Sequence, residues 1–172
     1  TYGPQRPVRI QHRSGRLWIL NSLAMQELGT RQPMDGRLFD QDVFIRAGQN
    51  FPDLSLLKQR LLSFGITGIT EVTPNNGQAE IENYKDRMEP LKLAYMGRQE
   101  LINGHLKLHY HDHDLPSLEA LSNEIKSAHN QERNVAAHCV TRAELMLTLA
   151  AIEEAGAKPG DRIEHAAIAD EM

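Results

Sequence analysis

The chain is poor in several things, and each shortage narrows what it can be. Cys139 is its only cysteine, so no intrachain disulfide can staple it and a reducing compartment is allowed. Together with the lack of a leader-like N-terminus, this leads us to expect a cytoplasmic protein. No apolar run approaches the length of a membrane span, so no membrane association is expected. Basic residues are not in excess: 19 Lys and Arg stand against 23 Asp and Glu, a net charge of −4, which leaves no electrostatic footprint for nucleic acid. Aromatic residues make up only 5%. With 40% hydrophobic and 24% charged residues in 172, the remaining picture is one soluble globular domain large enough for a core.

Eight histidines are present, and their positions say more than their number. The stretch Asn134–Glu144, followed by Gly160–Ala166, reads as two short buried strands, each ending in a histidine. Thr141 and Glu144 spell a capping box that opens the helix between them, and Gly156 closes it. Parallel strands in a βαβ unit deliver their C-terminal residues to one rim, where α/β proteins place their chemistry. Two imidazoles brought there, His138 and His165, point to a metal site. Neutral imidazole is a good ligand for zinc and similar divalent ions.

The chain divides by rhythm into residues 1–52, an irregular insertion segment, and 53–172, a run of βα units. In the first part, Val8–Gln11 and Arg16–Leu20 look like strands around a break at Ser14-Gly15. Asn21 can cap a helix ending near Gly29, Gln32–Gly36 reads as a turn, and Leu38–Ala47 is expected to be helical. From Asp53 onward, helix signals alternate with β-branched runs. A helix capped by Asp53 carries Leu54, Leu57, Leu61 and Phe64 on one face and stops at Gly65. The strand Ile66–Thr73 follows, then a helix over Gln78–Met88 and the strand Leu91–Met96. After a turn near Gln99–Ile102 comes the strand Leu106–His111. Pro116-Ser117 starts a helix with Leu118, Leu121, Ile125 and Ala128 inward. Such alternation predicts an α/β fold with a parallel sheet and outer helices. Five such units are too few for a closed eight-stranded barrel, and the sequence stops where a further helix is due. We therefore expect a piece of something larger.

These residues resemble the metal-dependent amidohydrolases, in the branch that includes the N-substituted formamide deformylases. The similarity is carried by Val135–Leu145, Ala151–Ala155 and Arg162–Ala166, then by Gly65–Glu71, Leu106–Tyr110, His12–Gly15 and Trp18–Ser22. It implies a partial (β/α)8 TIM barrel with one or two divalent metal ions, zinc the first candidate, at the strand C-termini. In this family two strand-end histidines and a carboxylated lysine bind metal. Position by position, His138 and His165 match the histidines and Lys107 the lysine. The family's HxH pair after the first strand and its aspartate after the last have no counterpart here. His109-x-His111 and His111-x-His113 imitate the HxH spelling but lie downstream of Lys107. The implied activity is hydrolysis of a C–N bond in a small amide-like, non-peptide substrate by metal-activated water.

Each residue also has a plainer reading. A strand-end histidine can be a hydrogen-bonded rim residue, and Lys107 can be a strand-edge lysine reaching water. His109, His111 and His113 alternate with Lys107, so an extended chain would place all four on one face, whereas a strand ending near His109 would leave the later ones in a solvated loop. Glu71 can serve the rim as a polar neighbour or partner a helix N-terminus. His12 and Arg13 fit a surface loop. Strand alternation turns Glu164 away from His165 and Cys139 away from His138, both as structural residues. Two other functions stay open. One is an inactive partial barrel that folds or forms a homo-oligomer through its open sheet edges. The other is a metal-binding module built on His109, His111 and His113.

Overall fold

A computed structural model of the chain describes residues 5–12, 16–28, 35–39 and 51–169. By its internal contacts the chain falls into two compact units, Thr1–Pro52 and Asp53–Met172.

In the first unit the described residues form an antiparallel sheet in the order β1 (Arg9–Gln11), β2 (Leu17–Leu20), β3 (Arg37–Phe39). Helix α1 (Ser22–Glu27) follows β2, and Asn21 caps it as the sequence predicts: its Oδ1 accepts from Ala24 N–H at 2.9 Å and from Val8 N–H at 2.9 Å. One side chain thus starts a helix and pins the approach to β1. Leu20, Ala24 and Leu38 make a small buried core. Leu38 corrects the expected helix: it sits in β3, opposite Trp18. Residues 40–47 of that helix, Arg13, the break at Ser14-Gly15, and Gly29 lie outside the described residues. So does most of the turn expected over residues 32–36.

The second unit holds the α/β part. Its described strands are β4 (Gly68–Glu71), β5 (Lys92–Gly97), β6 (His105–Leu108), β7 (Val135–Cys139) and β8 (Arg162–His165). All neighbours pair in parallel and in sequence order, forming a curled half-barrel flanked by helices. The fold is therefore α/β, a partial (β/α) barrel, as the strand–helix rhythm predicts. The helices are α2 (Ser55–Ser63), α3 (Gln78–Met88), α4 (Leu118–Asn130) and α5 (Arg142–Ala155).

Local chemistry explains these boundaries. Ser117 Oγ accepts from Ala120 N–H at 3.2 Å and starts α4. Thr141 and Glu144 form the reciprocal cap of α5, and Gly156 ends that helix at φ 85°. Asp53 takes the N–H and hydroxyl of Ser55 just before α2, although Leu54 is the cap residue. The apolar face expected on α2 exists but is not buried: Leu57 and Phe64 are exposed.

The main core lies between the sheet and α4 and α5. It joins Leu106 and Leu108 of β6 and Val135, Ala137 and Cys139 of β7 to Leu121, Ile125 and Ala128 of α4 and Leu145 and Ala151 of α5. Each buried aliphatic side chain of this kind contributes roughly 1.5–3 kcal/mol. Leu118, expected on the same helix face, is 40% exposed because it belongs to the first turn of α4. Odd and even positions of the strands now have assigned sides. Leu106 and Leu108 face the helices, so Lys107 faces the concave side of the sheet. Likewise Val135, Ala137 and Cys139 face the helices and Ala136 and His138 the concave side.

Candidate metal centre

Strand register builds the site. Lys107 pairs with Ala136, and Ala136 with Arg162; one pleat further, His138 pairs with Glu164. Neighbouring partners in a parallel sheet share a face, so two tiers of polar residues rise on the concave side. The lower tier is Lys107 and Arg162, and the upper one is His138 and Glu164. β6 ends at Leu108, paired with Ala137, which leaves His109 one step on, beside His138.

His165 reaches this group by a backbone deviation. By alternation it would follow its register partner Cys139 toward the helices. Instead its φ is 70°, and that of Ala166 is 46°. Non-glycine residues adopt this region at a cost of about 1–3 kcal/mol, and such strain gathers at functional sites. The consequence is a row of imidazoles. The centroids of His165 and His138 lie 4.8 Å apart, and those of His138 and His109 4.6 Å, in both cases edge to face. The row continues to His111 at 4.8 Å and His113 at 5.6 Å.

Burial and neighbouring charges disfavour the protonated form of two of these rings. His109 is pushed down to about 4, first by crowding that strips its ring of water and then by His138, His111 and Lys107. His138 is also lowered, first by burial and then by His165. Burial lowers Lys107 as well, with the charge of Glu164 opposing and that of Arg162 reinforcing the shift. A neutral amine is the form that takes up carbon dioxide to become a carbamate.

The surroundings hold the rim. Glu144 is buried, and its Oε2 accepts from Val140 N–H at 2.8 Å and Thr141 N–H at 3.1 Å, fixing the chain just past His138. Thr141 Oγ1 donates to Asp112 Oδ1 at 2.6 Å, tying the loop after β6 to the start of α5. In that loop His111 N–H donates to Asp114 Oδ1 at 2.8 Å, and His113 is exposed. Glu71 Oε1 accepts from Thr73 N–H at 2.7 Å and Asn76 Nδ2 at 3.3 Å, so it shapes the loop before α3. His12 belongs to the first unit, where its N–H donates to Leu17 O at 2.7 Å. A cavity of about 290 Å³ lies away from the imidazole row, lined by Gly104, His105, Arg133 and Asn134 among others; one of about 280 Å³ opens beside Lys107 and His109, with Arg98 and Tyr110.

The structure thus brings His138 and His165 together and places Lys107 on their face, one pleat lower. It corrects Glu164, which does not turn away but shares the face of His138, with its Oε1 2.6 Å from Arg162 Nε. Arg162 carries no signal of its place in the sequence, because nothing in a single chain gives the register that sets it level with Lys107. Cys139 points away from His138 and is buried against Thr148, as alternation predicts.

The donors suit a divalent metal in type. Two imidazoles bound to one zinc at about 2.0–2.1 Å have ring centroids roughly 5 Å apart. The separations of 4.8 and 4.6 Å lie in that range. The rings stand edge to face, and among the described residues no three His, Cys, Asp or Glu side chains already converge on a common centre.

No protein-family model matches the sequence. No curated protein is significantly similar to it. Among solved structures, the fold is similar to the crystal structure of an uncharacterised metal-dependent hydrolase from Pyrococcus horikoshii OT3, with a TM-score of 0.63 and 16% sequence identity. The match covers 93% of this chain and 44% of that one, so this chain spans less than half the length of that protein. At this identity the likeness shows the fold.

Proposed function

We propose that the chain is part of a metal-dependent hydrolase of the amidohydrolase kind, acting on a C–N bond of a small amide-like, non-peptide substrate. The observation that carries this reading is the turned-in ring of His165. A strained, non-glycine backbone at the C-terminal end of β8 brings a second imidazole against His138 at the rim where such sheets do chemistry. His138 and His165 are the metal ligands, and Lys107, as a carbamate, is the third. A divalent metal bound there, zinc the first candidate, would supply a Lewis acid and an activated water.

The chain's own residues contribute position and charge. His138, whose protonated form is disfavoured by burial, offers its ring lone pair the more readily. Arg162 stands level with Lys107 and can balance a negative carbamate, while Glu144 holds the rim behind His138 in one conformation. The likeness to a metal-dependent hydrolase supports the general class. The C–N specificity rests on the sequence resemblance. A cytoplasmic location, a small-molecule substrate without nucleic acid or membrane, and self-association through the outer strands β4 and β8 belong to the same proposal. Among the described residues no helix is long and apolar enough to cross a membrane.

The test is elemental analysis of protein made without chelator or histidine tag and equilibrated with zinc and bicarbonate. About one bound metal per chain, lost in His138→Ala and His165→Ala, is the expected result. Metal content unchanged by both substitutions would sink the assignment.

A further inference from the structure

The dipeptide Asn-Gly occurs twice in the chain, at Asn76-Gly77 and at Asn103-Gly104. It is a chemically weak pair, because a glycine N–H has no side chain to shield it from the amide of the asparagine before it. The fold treats the two copies in opposite ways.

Asn76 is 3% exposed, and its Nδ2 donates to Met96 O at 3.2 Å and to Glu71 Oε1 at 3.3 Å. The N–H of Gly77 donates to Glu80 Oε2 at 3.0 Å. Both reacting groups of this pair are therefore occupied. Asn103 is exposed and lies in the connection between β5 and β6, outside any helix or strand. Among the described residues, neither the Asn103 side-chain amide nor the Gly104 N–H meets a hydrogen-bond partner. The connection is fastened on either side of Asn103 instead: Arg133 donates from Nη1 to Gln99 O at 2.8 Å and from Nε to Gly104 O at 3.1 Å. Asn103 and Gly104 also line the cavity of about 290 Å³, where water can reach them.

We propose that Asn103 is a site of spontaneous modification, deamidating through a cyclic imide with Gly104, and that the fold spares Asn76. The Gly104 nitrogen attacks Cγ of Asn103; an N–Cγ bond forms and the Cγ–Nδ2 bond breaks. The proton of the Gly104 N–H leaves with Nδ2 as ammonia. Water then opens the imide at either carbonyl and leaves aspartate or isoaspartate, with no change of oxidation state. Either product adds a negative charge to this connection. The isoaspartate form also carries the main chain through the side-chain methylene, which lengthens the chain between the two carbonyls that Arg133 holds. Neither residue belongs to the metal centre, so the modification stands whether or not metal binds there.

The experiment holds the whole chain in mildly alkaline buffer, folded or unfolded in urea, and follows its proteolytic peptides by mass spectrometry. Deamidation reads as a mass gain of about one dalton on the peptide concerned, and labelling by an isoaspartyl methyltransferase marks the isoaspartate share. In the folded chain Asn103 is expected to react more than about tenfold faster than Asn76, whose pair must first break three hydrogen bonds. In urea the two sites should react at similar rates, since both are Asn-Gly. Asn103→Gln should remove the signal at that position and leave the unfolding midpoint within the range of an ordinary surface change. Equal rates at the two sites in the folded chain overturn the proposal. So does a folded rate at Asn103 more than about tenfold below its rate in urea, which would show that the β5–β6 connection protects it.

Discussion

Asp161, at the entrance to β8, allows the sharpest test of how the half-barrel is held. Its Oδ1 accepts from Val135 N–H at 3.0 Å, its Oδ2 from Lys158 N–H at 2.8 Å, and its carboxylate meets His129 Nε2 at 3.0 Å. The side chains of Asp161 and His129 are only 5% and 4% exposed. One carboxylate therefore joins the end of α4, the start of β7 and the start of β8. Asp161→Ala removes all three bonds. Lys158 is exposed and its N–H can turn to water, but Val135 N–H and His129 Nε2 are buried. Two stranded buried donors at roughly 1–3 kcal/mol each give a destabilisation of about 3–4 kcal/mol. With a urea slope of about 2 kcal/mol/M, the unfolding midpoint should fall by roughly 1.5–2 M with an unchanged slope. Asp161→Asn keeps one acceptor and should lose about half as much. A midpoint shift for Asp161→Ala below about 0.3 M, the range of an ordinary surface change, would refute this account. Acid supplies a second readout. Burial raises the carboxyl, but the bonds from Val135, Lys158 and His129 together outweigh it and hold it below its ordinary value. A depressed folded pKa stabilises above the unfolded value and loses that contribution as pH falls through the folded one. The gap between unaltered protein and Asp161→Asn should therefore be full at neutral pH and narrow below about pH 4.

Three further outcomes follow from the same geometry. Gly104→Ala should destabilise by about 1–3 kcal/mol in thermal or urea unfolding, since its φ is +83° and a Cβ would stand 2.5 Å from Tyr95 O; an unchanged midpoint would show that the β5–β6 connection yields freely. Ile125→Ala should cost about 2–5 kcal/mol, because this side chain is wholly buried between α4 and the sheet; a loss under about 1 kcal/mol would argue against that core. Glu144→Ala strands the N–H groups of Val140 and Thr141 and removes half of the α5 cap, a loss of about 1–2 kcal/mol. Because the same residue fixes the chain beside His138, zinc affinity should fall with it, and wholly normal affinity in that variant would separate the cap from the site.

Much of the fold was readable because local chemistry and burial agree. The capping box at Thr141 and Glu144, the stop at Gly156 and the apolar face of Leu121, Ile125 and Ala128 each state one structure at two levels, pattern and packing. The failures fall where a segment is too short to show a period. β3 spans three residues, and Leu38 belongs to it because β2 lies alongside, a fact no three-residue pattern contains. α2 is the opposite case: its apolar spacing was correct for a helix, yet spacing cannot say whether anything covers Leu57 and Phe64.

The site was half legible, and the reason lies in register. His138 and His165 stand out as strand-end histidines, but their meeting depends on which residue faces which across β7 and β8. The pairing His138↔Glu164 puts the glutamate, not His165, on the concave face by simple alternation. Only the left-handed φ of His165 returns its ring to His138, and a non-glycine residue gives no sequence sign of that conformation. The same register sets His109 level with His138 and Lys107 level with Arg162, so residues two apart in sequence stand next to different neighbours. A period-two reading of Lys107, His109, His111 and His113 treats them as four equal positions along one strand. The end of β6 at Leu108 makes them unequal: Lys107 is held within the sheet, His109 sits at its rim against His138, and His111 and His113 follow the loop. Which of these side chains meet at the rim is therefore decided by where a strand stops, a property of pairing between strands rather than of any one of them.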